Sequence, residues 1–141
     1  MSRSGYSDEC DNLQLWRGAV RSAINGKRGQ QFLRELAAAM DAMPVKQLVA
    51  DSFQQAEGQF CTLGTVGAAR GLDMTGLEEC EDTKRVGRTF GIAPAMAAEI
   101  MFENDEHGWY SAKDETPADR WTRMRKWVAD HTLPQPPAPA S

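Results

Sequence analysis

Cysteine and histidine are scarce in this chain, and with them most of the chemistry of metal sites and nucleophilic catalysis. The three cysteines, Cys10, Cys61 and Cys80, are odd in number, far apart and without a C-x-x-C pair, which argues against a disulfide framework or a zinc knuckle. The two histidines, His107 and His131, stand alone, with no H-E-x-x-H spacing. No apolar run reaches the roughly 18 residues of a membrane span, and the opening MSRSGYSDECD has no apolar signal core. The expectation is a protein of a reducing cytoplasm, with no cofactor, no metal and no membrane partner.

Phosphate and calcium loops are missing too. Gly64, Gly67 and Gly71 are spaced G-x-x-G-x-x-x-G, not as a dinucleotide fingerprint, and close backbone packing accounts for them better. In NGKRGQ, Asn25 to Gln30, two glycines flank Lys27 and Arg28, but the strand and spacing of a P-loop are absent, so a helix-helix turn is expected. EECED, Glu78 to Asp82, lacks the alternating oxygen ligands and glycine of a calcium loop. A Cys61 or Cys80 nucleophile with His107 as base is the one enzymatic arrangement left. The thin inventory favours a protein that is not an enzyme.

What is present is helical pattern. The 141 residues suit one domain, with a polar N-terminus over 1–11, a globular body over 12–132 and a Pro/Ala-rich tail over 133–141 that cannot order itself. Trp16, Val20, Ala23 and Ile24 recur at helical spacing from Leu13, and Gly26 suits a left-handed cap ending that helix. Phe32, Leu33, Leu36, Ala37, Met40 and Met43 predict a second helix, stopped by Pro44. VKQLVADSFQQAEGQFCTLGTVGAARG predicts a β-hairpin turning near Glu57 and Gly58, although TLGTVGAARG reads as a short helix equally well. LEECEDTKRVGRTFG and APAMAAEIMFEND predict two helices joined at Gly91. The last helix is marked by Thr116 as N-cap, Pro117, Asp119 at the capping-box site, and Trp121, Met124, Trp127 and Val128 on one face. The fold class expected is α+β, mainly α-helical, with about five helices, one small hairpin and a helix-turn-helix-like corner.

That corner is TKRVGRTFGIAPAMAAEI, Thr83 to Ile100. Val86, Phe90, Ile92 and Ile100 supply its apolar set, Gly87 its close approach and Gly91 its turn. The face that should read bases holds Ala93, Pro94, Ala95, Ala98 and Glu99, followed by Glu103, Asp105 and Glu106, which oppose phosphates. Lys84, Arg85 and Arg88 keep a DNA-binding regulator as the alternative function.

Charge is unevenly spread. The chain has 16 Lys and Arg against 20 Asp and Glu, and residues 71–119 alone carry twelve acids and four bases. Such a balance argues against nucleic acid and for a basic protein partner. ENDEHGWY combines acids with aromatics, so Glu99, Glu103, Asp105 and Glu106 are expected to steer a partner that Trp109 and Tyr110 anchor. Arg120, Arg123, Arg125 and Lys126 are read as neutralising this region within the fold.

Several blocks carry a wider similarity: SRSGYSDECD, WRGAVRSAINGKRGQQFLREL, CTLGTVGAARGLDM, FGIAPAMAAEIMFENDE and ETPADRWTRMRKWV. Over roughly residues 2–130 the chain resembles a set of small phage and prophage proteins of proteobacteria to which no activity is attached. The resemblance implies context only: an accessory phage protein acting on a host protein in the bacterial cytoplasm. By analogy with that class, a counter-defence inhibitor of the anti-CRISPR kind, acting by surface occlusion, is the functional expectation.

Overall fold

The computed structural model describes residues 13–50, 52–56, 58–78, 83–105 and 115–134. They form seven helical segments and one two-stranded antiparallel hairpin, so the protein is mainly α-helical with a small β element.

Helices α1 (Leu13–Asn25) and α2 (Lys27–Asp41) are separated by one residue. Gly26 is not the left-handed cap the sequence suggests: its φ of −71° and ψ of 166° are extended, and it is the N-cap of α2. The corner depends instead on Gly29. A Cβ there would lie 2.0 Å from the carbonyl oxygen of Ala23, so only glycine lets the two helices turn so tightly. NGKRGQ is therefore a helix-helix turn. From it α2 lays Phe32, Leu33, Leu36 and Met40 into the core and ends before Pro44.

The hairpin pairs β1 (Gln54–Ala56) with β2 (Gln59–Phe60) through a turn containing Gly58 at φ +79°. The segment left open between strand and helix is a helix, α3 (Thr62–Ala69), buried on all sides from Thr62 to Gly67. Cys61 caps it, its Sγ accepting from the Gly64 amide at 3.3 Å. Gly64 is also where the hairpin presses closest, its Cβ position 2.0 Å from the Phe53 carbonyl oxygen.

The single turn α4 (Thr75–Glu78) precedes α5 (Thr83–Phe90) and α6 (Pro94–Asp105). Gly91, at φ +74°, closes α5 with Ile92 N–H donating back to the Gly87 carbonyl at 2.9 Å, a left-handed glycine cap. Phe90 then stacks on Phe53 and meets Phe32 edge-on, fixing the corner to the hairpin and α2. α6 runs through the core in contact with α1, α3, α5 and α7. Ala95, Met96, Ala97, Ala98, Ile100 and Met101 on it are all buried.

α7 (Pro117–His131) begins with the expected capping box: the Asp119 amide donates to Thr116 Oγ1 and the Thr116 amide to the Asp119 carboxylate. Met124 and Val128 are buried and Trp121 and Trp127 half-buried against the same core. A fork of Arg125 on Asp41, at 2.9 and 3.0 Å, ties α7 to the end of α2. Residues 1–12 and 135–141, where the loose termini are expected, lie outside the described residues. Leu133 is held, its amide donating to Gln30 Oε1 at 2.7 Å.

Candidate functional site

α1, α6 and α7 leave between them a cleft of about 390 Å³ lined by Val20, Ile24, Glu99, Glu103, Arg123, Lys126, Trp127, Asp130 and His131. Its chemistry comes from i,i+4 pairs, which place side chains one above another on a helix. On α6 these are Glu99 and Glu103. On α7 they are Trp127 and His131, whose rings stack at 4.4 Å, and Lys126 and Asp130, ion-paired at 2.6 Å. Among the described residues, α1 contributes the apolar Val20 and Ile24 to this lining.

The α6 end of the cleft is set by a buried polar network. Asn104 Oδ1 accepts from the Thr62 amide at 3.1 Å and its hydroxyl at 2.8 Å, while Asn104 Nδ2 donates to the Val49 carbonyl at 3.0 Å. The Asn104 carbonyl accepts from Arg120 Nε at 3.1 Å, and Arg120 Nη1 donates to the Leu48 carbonyl at 3.2 Å. Each partner is satisfied, as burial demands. One turn further on, Arg123 forks onto Glu115 at 2.7 and 3.0 Å and sends Nη1 to the Glu103 carbonyl at 2.7 Å. The Arg123 hydrogen bond holds the Glu115 carboxyl below its usual range, against the effect of burial.

At the other end, Gln30 is buried and bridges both walls. Its Nε2 donates to the Ile24 carbonyl on α1 and to the His131 carbonyl on α7, each at 2.9 Å.

Within this frame Glu103 is only 9% exposed. Burial, the charge of Glu99 and a hydrogen bond donated by the protonated Glu103 carboxyl to Glu99 raise its pKa to about 7, with Arg123 opposing. Glu103 is therefore partly protonated near neutrality.

The expected partner-binding set is divided by the structure. Glu99 and Glu103 come together in the cleft. Asp105 is half-buried at the end of α6 and accepts from Asn104 Nδ2 at 2.7 Å. Glu106, Trp109 and Tyr110 lie outside the described residues. Glu103 lines the cleft but is nearly buried, so little of its carboxyl meets solvent. Of the four cations expected to neutralise this region, Arg120 and Arg123 pair with Glu115, whereas Arg125 pairs with Asp41 on α2 and Lys126 with Asp130 on α7.

Lys84, Arg85 and Arg88 are exposed on α5 and do not line the cleft. The helix they precede, α6, packs against α1, α3, α5 and α7. Cys61 is buried as a helix cap, and Cys80 and His107 lie outside the described residues. Among the described residues no group of three or more His, Cys, Asp or Glu is placed to hold a metal, and no helix is long and apolar enough to cross a membrane.

Sequence reasoning missed Trp127 and His131 as site residues. Their i,i+4 spacing was the available signal, but Trp127 reads equally as core and His131 as the start of a tail. No protein-family model, curated protein or solved structure matches the chain.

Proposed function

We propose that this protein is a non-enzymatic binding protein that docks on a basic protein surface through the α1, α6 and α7 cleft and acts by covering that surface. The observation that carries the reading is the pair Glu99 and Glu103, set beside Trp127 in a cleft with an apolar wall. Carboxylates steer a cationic partner and an aromatic ring supplies contact area, the division of labour found at anchored interfaces. Combined with the phage and prophage resemblance, the reading becomes a phage accessory protein that occludes a host protein, in the manner of a counter-defence or anti-CRISPR-like inhibitor. The occluded surface would be a basic, nucleic-acid-binding face of a host complex.

Capture from bacterial lysate, read by mass spectrometry, tests this with two variants. Glu99→Lys reverses charge in the cleft and is expected to abolish capture of the partner. Lys27→Glu reverses an exposed cation on the first turn of α2 and is expected to leave capture intact. Equal capture by wild type and Glu99→Lys would overturn the reading.

A further inference from the structure

Opposite charges are segregated along this chain. From Leu13 to Arg34, the whole of α1 and the first half of α2, stand four arginines, one lysine and not one acid, in a chain that carries 20 acids. Among the described residues Arg17, Arg21, Arg28 and Arg34 have no carboxylate partner, whereas Arg70, Arg120, Arg123, Arg125 and Lys126 are all ion-paired. Gly18, Arg21, Ser22 and Asn25 follow the i, i+3, i+4, i+7 pattern of one helix face and are all exposed, and the exposed Arg17 stands one turn before Arg21. This face of α1 points away from Val20 and Ile24, so it is separate from the cleft.

Packing does not explain Gly18. A Cβ there would meet nothing within 4 Å, and glycine weakens an exposed helix interior relative to alanine. What it offers is a bare backbone that another molecule can approach closely. The Arg, Ser and Asn side chains around it are the types that contact phosphate oxygens. Every exposed α1 residue from Arg17 onward is Arg, Gly, Ala, Ser or Asn, so the face has none of the aromatic groups that anchor a protein partner or stack on unpaired bases. The 13 residues of α1 span about 20 Å, enough for one run of phosphates but short of the two successive minor grooves that a reader of duplex RNA crosses.

We propose that the α1 and α2 corner binds the sugar-phosphate backbone of duplex DNA, without reading its sequence, through Arg17, Arg21, Arg28 and Arg34. Ser22 and Asn25 add neutral donors, and Gly18 is the point of closest approach. Guanidinium groups donate to phosphate in a fork, which favours arginine here. The net charge of −4 opposes a polyanion at long range, so binding is a property of low salt and fades quickly as salt rises. This activity goes beyond the docking function and does not depend on the cleft.

The probe is a fluorescently labelled DNA duplex of mixed sequence, titrated with the full chain and followed by anisotropy. With four phosphate contacts, affinity should fall about a hundredfold between roughly 50 and 200 mM salt, a slope of about −3 to −4 on logarithmic axes. The double variant Arg17→Gln, Arg21→Gln should lower affinity about tenfold or more at low salt and flatten that slope by about two. Gly18→Glu, for which there is room, sets a carboxylate among the arginines and should abolish binding. Lys46→Gln removes a cation held by the Asp41 and Met43 carbonyls beyond the far end of α2, and should leave affinity as it is. Circular dichroism confirms that each variant is folded. Absence of saturable binding at low salt, an unchanged slope in the arginine double variant, or full binding by Gly18→Glu would each overturn the proposal. Duplex RNA or poly-glutamate competing as well as DNA would overturn it too, since the face would then serve another polyanion. So would loss of binding on Lys84→Gln, Arg85→Gln and Arg88→Gln with the α1 variants unaffected, which would move the contact to α5.

Discussion

The side-chain amide of Gln30 donates to the His131 carbonyl at 2.9 Å, joining the second helix to the last across 101 positions of sequence. The same nitrogen reaches Ile24 and the same side chain's oxygen takes the Leu133 amide, so one buried residue satisfies backbone groups at the C-terminal ends of α1 and α7. Gln30→Leu fits the space but leaves those groups without a partner. It should cost about 2–3 kcal/mol in urea denaturation, the penalty of unsatisfied buried polar groups. Hydrogen exchange at the Leu133 amide should rise with it. A variant as stable as the wild type would show that the two helix ends close without the bridge.

Glu115 carries the opposite kind of contact, a charge shared by Arg120 at 3.2 Å and Arg123 at 2.7 Å. Removing it strands two partly buried guanidinium groups. Glu115→Gln should lose about 2 kcal/mol at pH 7. Because the folded-state pKa is depressed below 4.5, this stabilisation is complete above that pH and lost as pH falls through the folded value. Wild type and variant should therefore converge in acid-denaturation curves only as pH falls well below 4.5, through that depressed value. A gap that persisted there would mean that Glu115 acts by shape and not by charge.

Most helices were legible because their signals are local. Thr116, Pro117 and Asp119 announce α7, and the spacing of Phe32, Leu36 and Met40 announces α2. α3 was ambiguous for a physical reason: it is buried on every side from Thr62 to Gly67, so no solvent-facing polar stripe marks a helical period and the short run fits strand or helix alike. The corner at Gly91 was read correctly as geometry, since a left-handed glycine leaves a sequence mark. The cleft was only half legible. Glu99 and Glu103 stood out as acids, but their burial and their meeting with Trp127 and His131 depend on how α7 crosses α6, for which the sequence holds no local cue.

Two glycines separate steric need from conformational need. At Gly29 a methyl group would collide with the Ala23 and Ile24 carbonyls, whereas at Gly91 nothing lies within 4 Å and only the positive φ is at stake. Gly91→Ala should cost about 1–2 kcal/mol, the strain of a left-handed alanine. Gly29→Ala must instead shift backbone at the α1 and α2 corner, and should cost about 3 kcal/mol or more. Thermal melts of the two variants distinguish the cases. Equal losses would show that the corner relaxes more freely than its geometry implies.

Glu103 ties stability to pH in the direction opposite to Glu115. Burial lifts its pKa from 4.5 to about 7, so between those values the folded protein binds more protons than the unfolded chain. Its cost is absent below pH 4.5, grows as pH rises, and is complete above about 7. Allowing for partial contact with solvent, that cost is about 1–2 kcal/mol. Glu103→Gln keeps a hydrogen-bonding group beside Glu99 without the charge. It should match the wild type at pH 4.5 and exceed it by about 1–2 kcal/mol at pH 8 in urea denaturation. A difference that does not change with pH between 4.5 and 8 would mean that burial does not hold the Glu103 carboxyl above its usual range.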